Sequence, residues 1–373
     1  MRASLIFGSC ICFIIYGCID PESPKDWKRV DISTNANLNV ITFIDDNVGF
    51  IGATQKSPLS EATYSFIDGS YFDYVNEVHI NSDSIKYFHV EFSAQHPEPV
   101  LFKTTDGGQT WLGISTSFIS DVVDISFIDE RSGYVMTSKE GLYKTVDGGM
   151  TWKRVLSNVA FLGNQRIVNN PFQKIHFFTA LEGIAFHEDK GVVVKTLDGG
   201  KNWFIVPYFD IQCESCGLEN VLFLNGSKTG FAVYRSKFLK TLDAGETWEE
   251  IAFTTPYDEN GLASYMNDLT FRDLENGAML FQGRAFQTTD GGRTWQDVAD
   301  RPITGDKILL KEEDQLYLQY HGNPSLQHFD LSTRELNSFS SEGDASTITD
   351  WCFAGNRILA VGGGGILLKF DIR

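Results

Sequence analysis

Five aspartates, Asp106, Asp147, Asp198, Asp243 and Asp290, recur at steps of 41, 51, 45 and 47 residues. Repeated acids suggest calcium, but that ion takes about six to eight oxygens and each of these segments brings one carboxylate. No metal and no cofactor is expected. Glycan hydrolysis would need two carboxylates at a set separation. Asp73, Glu77, Asp210, Asp258 and Glu259 are available for it, in a chain with 49 acidic residues. The run "GGGG" at 362–365 has the look of a phosphate loop, yet neither Lys-Ser/Thr nor a helix follows it, so it reads as a turn. Cys213 and Cys216 form a single C-x-x-C. A zinc site would need two more ligands, and a redox pair would need a helix start in a βαβ setting. A local disulfide is the expectation in an exported chain, with redox or metal use as the alternatives.

The elements around the aspartates give them another role. Each sits in one phrase: "KTTDGGQTW", "KTVDGGMTW", "KTLDGGKNW", "KTLDAGETW" and "QTTDGGRTW". A short apolar, β-rich run stands on either side, which predicts strand, turn, strand. Upstream of each copy lies a second phrase, such as "ISFIDERSGYVMT" at 125–137 and "LTFRDLENGAMLF" at 269–281, which reads as a hairpin. Two hairpins per repeat of about 40–50 residues make a four-stranded propeller blade. Within the turn the Asp is expected to accept backbone N–H bonds. The second Gly is present in all five copies and the first is replaced by Ala244 in one, so a positive φ is expected at the second position and not at the first. Trp111, Trp152, Trp203, Trp248 and Trp295 open the outer strands and offer apolar surface to the neighbouring blade.

The phrase S/T-x-D-x-G-x-T-W resembles the Asp-box, or bacterial neuraminidase repeat. Thr104, Asp106, Gly108, Thr110 and Trp111 match it in full, and Asn202 replaces the second Thr in the third copy. With the hairpin phrase, residues 27–373 resemble propellers of the photosystem II stability/assembly factor type. That resemblance implies a non-catalytic binding or assembly role, with no photosynthetic partner to be inferred. The sialidase likeness is weaker: the early Arg-Ile-Pro phrase is missing, and "RIV" at 166–168 is a poor substitute.

Five blades carry the box. Residues 305–338 supply short strands for a sixth, and 348–373 supply three strands of a seventh. The missing outer strand is found at the N-terminus, where Trp27-Lys28-Arg29-Val30 copies Trp152-Lys153-Arg154-Val155. The expected fold is an all-β seven-bladed propeller closed by Trp27–Ile32. Ahead of it, residues 1–17 read as a signal peptide and Ile15-Tyr16-Gly17-Cys18 is similar to a lipobox, with Tyr16 off pattern. Cys18 is then the acylated residue and 18–26 a polar tether. The expectation is a monomeric lipoprotein of the bacterial cell envelope, periplasmic or surface-facing, held to the membrane by its lipid. A net charge of −18 argues against nucleic-acid partners.

In such a blade the box turns and the a–b turns share one face. The long insertions, about 54–99, 156–172, 207–218 and 253–267, all fall on the other. They carry Tyr71, Phe72, Tyr74, Arg166, Tyr208, Phe209, Tyr257 and Tyr265. Long loops on a rigid scaffold are where binding concentrates, although each aromatic is equally suited to packing a loop against the rim. The reading is a protein- or glycan-binding propeller at the envelope, with an exported glycoside hydrolase as the rival.

Overall fold

The computed structural model describes residues 27–55 and 98–372, except 119, 140, 157–159, 163–164, 168–171, 188–191, 207–208, 210–217, 225, 235–236, 253–265, 282, 299–304, 313, 320–325 and 340–347, together with the backbone of Thr63–Phe66 and Phe88–Glu91. Seven four-stranded antiparallel sheets form a ring, which bears out the expected fold. Their innermost strands, in blade order, are Leu38–Phe43, Val122–Phe127, Lys174–Phe177, Leu218–Phe223, Met266–Phe271, Lys307–Leu310 and Ile348–Ala354. Lys28–Arg29 is the outer strand of blade seven and pairs antiparallel with Ile366–Asp371, Lys28 opposite Lys369 and Arg29 opposite Leu368. Two small hairpins, Thr63–Phe66 with Phe88–Glu91 and Ala160–Leu162 with Gln165–Ile167, lie inside the insertions. The "GGGG" run is a 3-10 turn between two strands of blade seven.

The core lies between blades, and the hairpin phrase explains how. A Gly opens the second strand of blades one to five. The inner-strand Phe of the same blade lies over it: a Cβ on Gly133 would meet Phe127 at 2.5 Å, and one on Gly183 would meet Phe177 at 2.5 Å. In blades one, two and four an aromatic follows the Gly and stacks on the next blade's Phe. Phe50 meets Phe127 at 4.3 Å, Tyr134 meets Phe177 at 3.4 Å, and Phe231 meets Phe271 at 3.8 Å between centroids. Each box Trp fills the same seam. Trp152 packs with Phe50 of blade one, Trp203 with Leu142 of blade two, and Trp295 with Phe238 of blade four. Trp111 reaches back to Leu359 and Val361 of blade seven across the closure.

In every box the Thr hydroxyl donates to Asp Oδ1 and accepts from the second Gly N–H; Asp147 and Thr145 do so at 2.8 Å, with Gly149 N at 2.9 Å. The other carboxylate oxygen takes the Thr151 hydroxyl at 2.5 Å. Asn202 fills that place in the third copy, donating to Asp198 at 2.6 Å. The expectation about the glycines needs correction. Both positions have positive φ, from 70° to 77° at the first Gly and 60° at Ala244. An Ala tolerates the left-handed region at a cost of about 1–2 kcal/mol, so its presence did not exclude that conformation.

Candidate functional site: the channel and the two faces

The first residue of each box turn is tied to the a–b turn of its own blade. Gly107 N donates to Asn47 O and Gly148 N to Arg131 O, at 2.9 and 2.8 Å. One face is therefore the box face. The inner strands start at the other, the loop face.

At the loop-face end of the inner strands, polar side chains converge on the axis. Asp124, Asp268 and Asp350 each follow a β-bulge, which turns the carboxylate toward the next blade. Asp124 accepts from Ile175 N at 2.7 Å, Asp268 from Ile308 N at 2.8 Å and Asp350 from Ile41 N at 2.9 Å. These acids join blade two to three, five to six and seven to one. Asn220 adds a bond from blade four to Asp268, and Lys307 of blade six pairs with Asp350. Burial pushes the Asp124 carboxyl above the usual range against the opposing pull of Lys174, and burial raises Asp268 in the same way. Each is a joint between blades. The sequence carries the signal, a polar residue three before the inner-strand Phe in "DISF", "DLTF" and "DWCF".

A cavity of about 770 Å³ runs along the channel beside blades three to seven, lined among others by Lys174, Asn220, Asp268, Lys307 and Gln319. Lys307 and Gln319 sit opposite each other across two strands. Gln319 Nε2 is buried with no hydrogen-bond partner among the described residues. The Lys307 ammonium is already taken up by Asp350 and by Trp351 O at 3.2 Å.

The box face is joined by lysines that the quoted phrases contain and that sequence reasoning passed over. Lys103 donates to Gly148 O at 2.6 Å and Lys144 to Ala180 O at 2.8 Å. Lys195 reaches Asp243 O at 3.3 Å and pairs with Glu182 at 3.1 Å. Each crosses from one blade to the next. At the closure Arg357 takes over, donating to Gly107 O at 2.7 Å and Asp46 O at 3.0 Å.

Of the residues named from sequence for binding, Tyr71, Phe72, Tyr74, Tyr208, Tyr257 and Tyr265 lie outside the described residues, as do Cys18, Cys213 and Cys216. Arg166 stands in the hairpin of Gln165–Ile167, with only its backbone described. Phe209 is a correction. It is buried, with its ring 5.1 Å from Tyr234 and 5.6 Å from Trp248, so it belongs to the core rather than to a binding surface. The Cys352 thiol is free, packed against the core, and desolvation raises its pKa.

Residues 113–249 match the family model of the photosynthesis system II assembly factor YCF48. The match runs from the end of blade one into the outer strand of blade four, over just more than a third of the chain. Solved structures extend the likeness of fold to the whole ring. YCF48 bound to a D1 peptide superposes with a TM-score of 0.61 at 16% identity, covering 94% of this chain and 98% of that one. YCF48 from Cyanidioschyzon merolae gives 0.59 at 16%, covering 93% and 98%. An ancestral GH74 enzyme gives 0.57 at 11%, covering 93% of this chain and 46% of its own. No curated protein matches the chain in sequence. The expected resemblance to propellers of the assembly-factor type is thus borne out.

Proposed function

We propose that this protein is a non-catalytic propeller that binds a protein partner at the cell envelope, as an assembly scaffold held to the membrane through an acylated Cys18. The observation that carries the non-catalytic part is the use made of the channel acids. Asp124, Asp268 and Asp350 hold backbone amides of neighbouring blades, and the box acids are closed inside their turns. Moving any of them in catalysis would open a seam of the ring. A protein partner is favoured over a glycan by the likeness to YCF48, of which one structure holds a D1 peptide. Export and lipidation rest on the N-terminal sequence. Binding is assigned to the insertions of the loop face, with Tyr71, Phe72, Tyr74, Arg166, Tyr208, Tyr257 and Tyr265 as contacts and the chain as a monomer.

Incubating the purified protein with a panel of envelope and plant glycans tests the class of function. The expected result is no turnover. Turnover that Asp73→Asn, Glu77→Gln, Asp258→Asn or Glu259→Gln abolishes would place the protein among hydrolases instead.

A further inference from the structure

We propose that the box face rests on a lipid bilayer, with apolar turn tips of blades two to five set into its interfacial layer. The proposal builds on the reading of Cys18 as the lipid-bearing residue.

Three features lead to it. The first is where the chain enters the ring. Lys28–Arg29 is an outer strand, and outer strands leave the box turns and run toward the loop face. The pairing confirms this direction. Arg29 faces Leu368 and Val30 N donates to Leu367 O at 2.9 Å, while Asp371, at the other end of that strand, stands opposite Arg357 in the strand register, and the Arg357 guanidinium holds the box turn of blade one. Trp27 therefore stands at the box face. Cys18 is nine residues earlier, a reach of at most about 30 Å. A lipid on Cys18 keeps the box face nearer to the membrane than the loop face.

The second feature is what that face displays. Val146, Leu197 and Leu242 occupy the middle place of T-x-D in three successive boxes. Met150, Leu181 and Leu274 stand on turns of the same face. All six are between 45% and 68% exposed. Single exposed apolar residues are ordinary, but several on one face mark a contact surface.

The third feature is their distribution. Blades one and five have Thr105 and Thr289 at the T-x-D position, and the a–b turns of blades one, six and seven carry Asp45, Asp46, Asp314 and Asn356. The apolar tips are thus gathered on the part of the ring away from the tether on blade seven. A lipid at one side and apolar tips at the other seat the face flat. Charges around the tips are mixed, with Arg131, Lys201 and Lys228 beside Glu130, Glu246 and Glu275, and the whole chain carries −18. Attraction to anionic headgroups is therefore not the driving force, and contact with zwitterionic lipid should withstand salt. The loop face is left pointing away from the bilayer, toward a partner.

Hydroxyl-radical footprinting read by mass spectrometry tests this on the full acylated chain in phosphatidylcholine vesicles, against the Cys18→Ser chain in solution. A further arm holds the Cys18→Ser chain, with six histidines placed ahead of Asp20, on vesicles containing a nickel-chelating lipid. Modification of Met150, Leu197 and Leu242 is expected to fall several-fold in both vesicle samples, while Pro99 on the loop face is unchanged. A Val146→Asp/Leu242→Asp variant should lose the protection at Met150. Protection on nickel vesicles with no acyl group on the native chain would refute the lipid reading and uphold the contact. Equal modification on and off both kinds of vesicle would overturn the proposal and leave these tips to a protein partner.

Discussion

Two residues show what side chains do here that composition alone hides. Ala244 is held at φ 60° where the other boxes have Gly. Ala244→Gly should stabilise the protein by about 1 kcal/mol, since the Cβ penalty of the left-handed region is removed. An unchanged or lower denaturant midpoint would contradict this. His176 lies against Phe178 and Phe223, and burial brings its pKa down to about 4 from 6.5. A depressed histidine is protonated first in the unfolded chain. Its contribution is complete above pH 6.5 and is lost as the pH falls toward 4. Denaturation at pH 7.5 and 4.5 should show a loss of stability that is smaller in His176→Phe. At this scale the sequence was legible where a residue type has one use, as with the box Asp and Trp. The Lys of "KT" and the Asp of "DISF" were harder, because a charged residue in a strand phrase usually faces water, and only the neighbouring blade shows that these two do not.

The strands were legible as elements because five copies of one phrase could be laid against each other. The hairpins of Thr63–Phe66 with Phe88–Glu91 and of Ala160–Leu162 with Gln165–Ile167 were not. They occur once each, within polar insertions, and no second copy marks their alternation. The seam between blades is where an element-level test has most force. Trp152 is buried among Phe50, Phe118 and Phe127, which belong to blades one and two and the segment joining them. Trp152→Ala should cost about 3–5 kcal/mol, the range for emptying a buried aromatic site. A variant that keeps native stability in urea would show that the seam does not depend on this ring. Gly149→Val is a companion change at the same seam, since a Cβ there would meet Phe50 at 2.8 Å in a backbone at φ 84°.

For the whole molecule, closure and orientation matter most. The last blade borrows Lys28–Arg29, and Ile32 is buried beside it in the seam with blade one. Deleting residues 19–33 should expose the edge of Ile366–Asp371 and lower the melting temperature sharply, with association through the open edge. A truncated protein melting with the full-length chain would show that the ring closes without it. Closure was legible because Trp27-Lys28-Arg29-Val30 repeats an internal phrase, while the ligand was not, because Asp-boxes build turns and the long insertions share no pattern. The central claim is that those loops capture a protein partner and perform no chemistry. Its most direct test is quantitative capture from solubilised membranes by the native protein and by Tyr71→Ala, Phe72→Ala and Tyr257→Ala variants, with melting temperatures measured alongside. Loss of an aromatic anchor of about 2 kcal/mol corresponds to roughly 30-fold weaker capture of the same identified partner, at an unchanged melting temperature. Equal capture of that partner by all three variants would contradict the account.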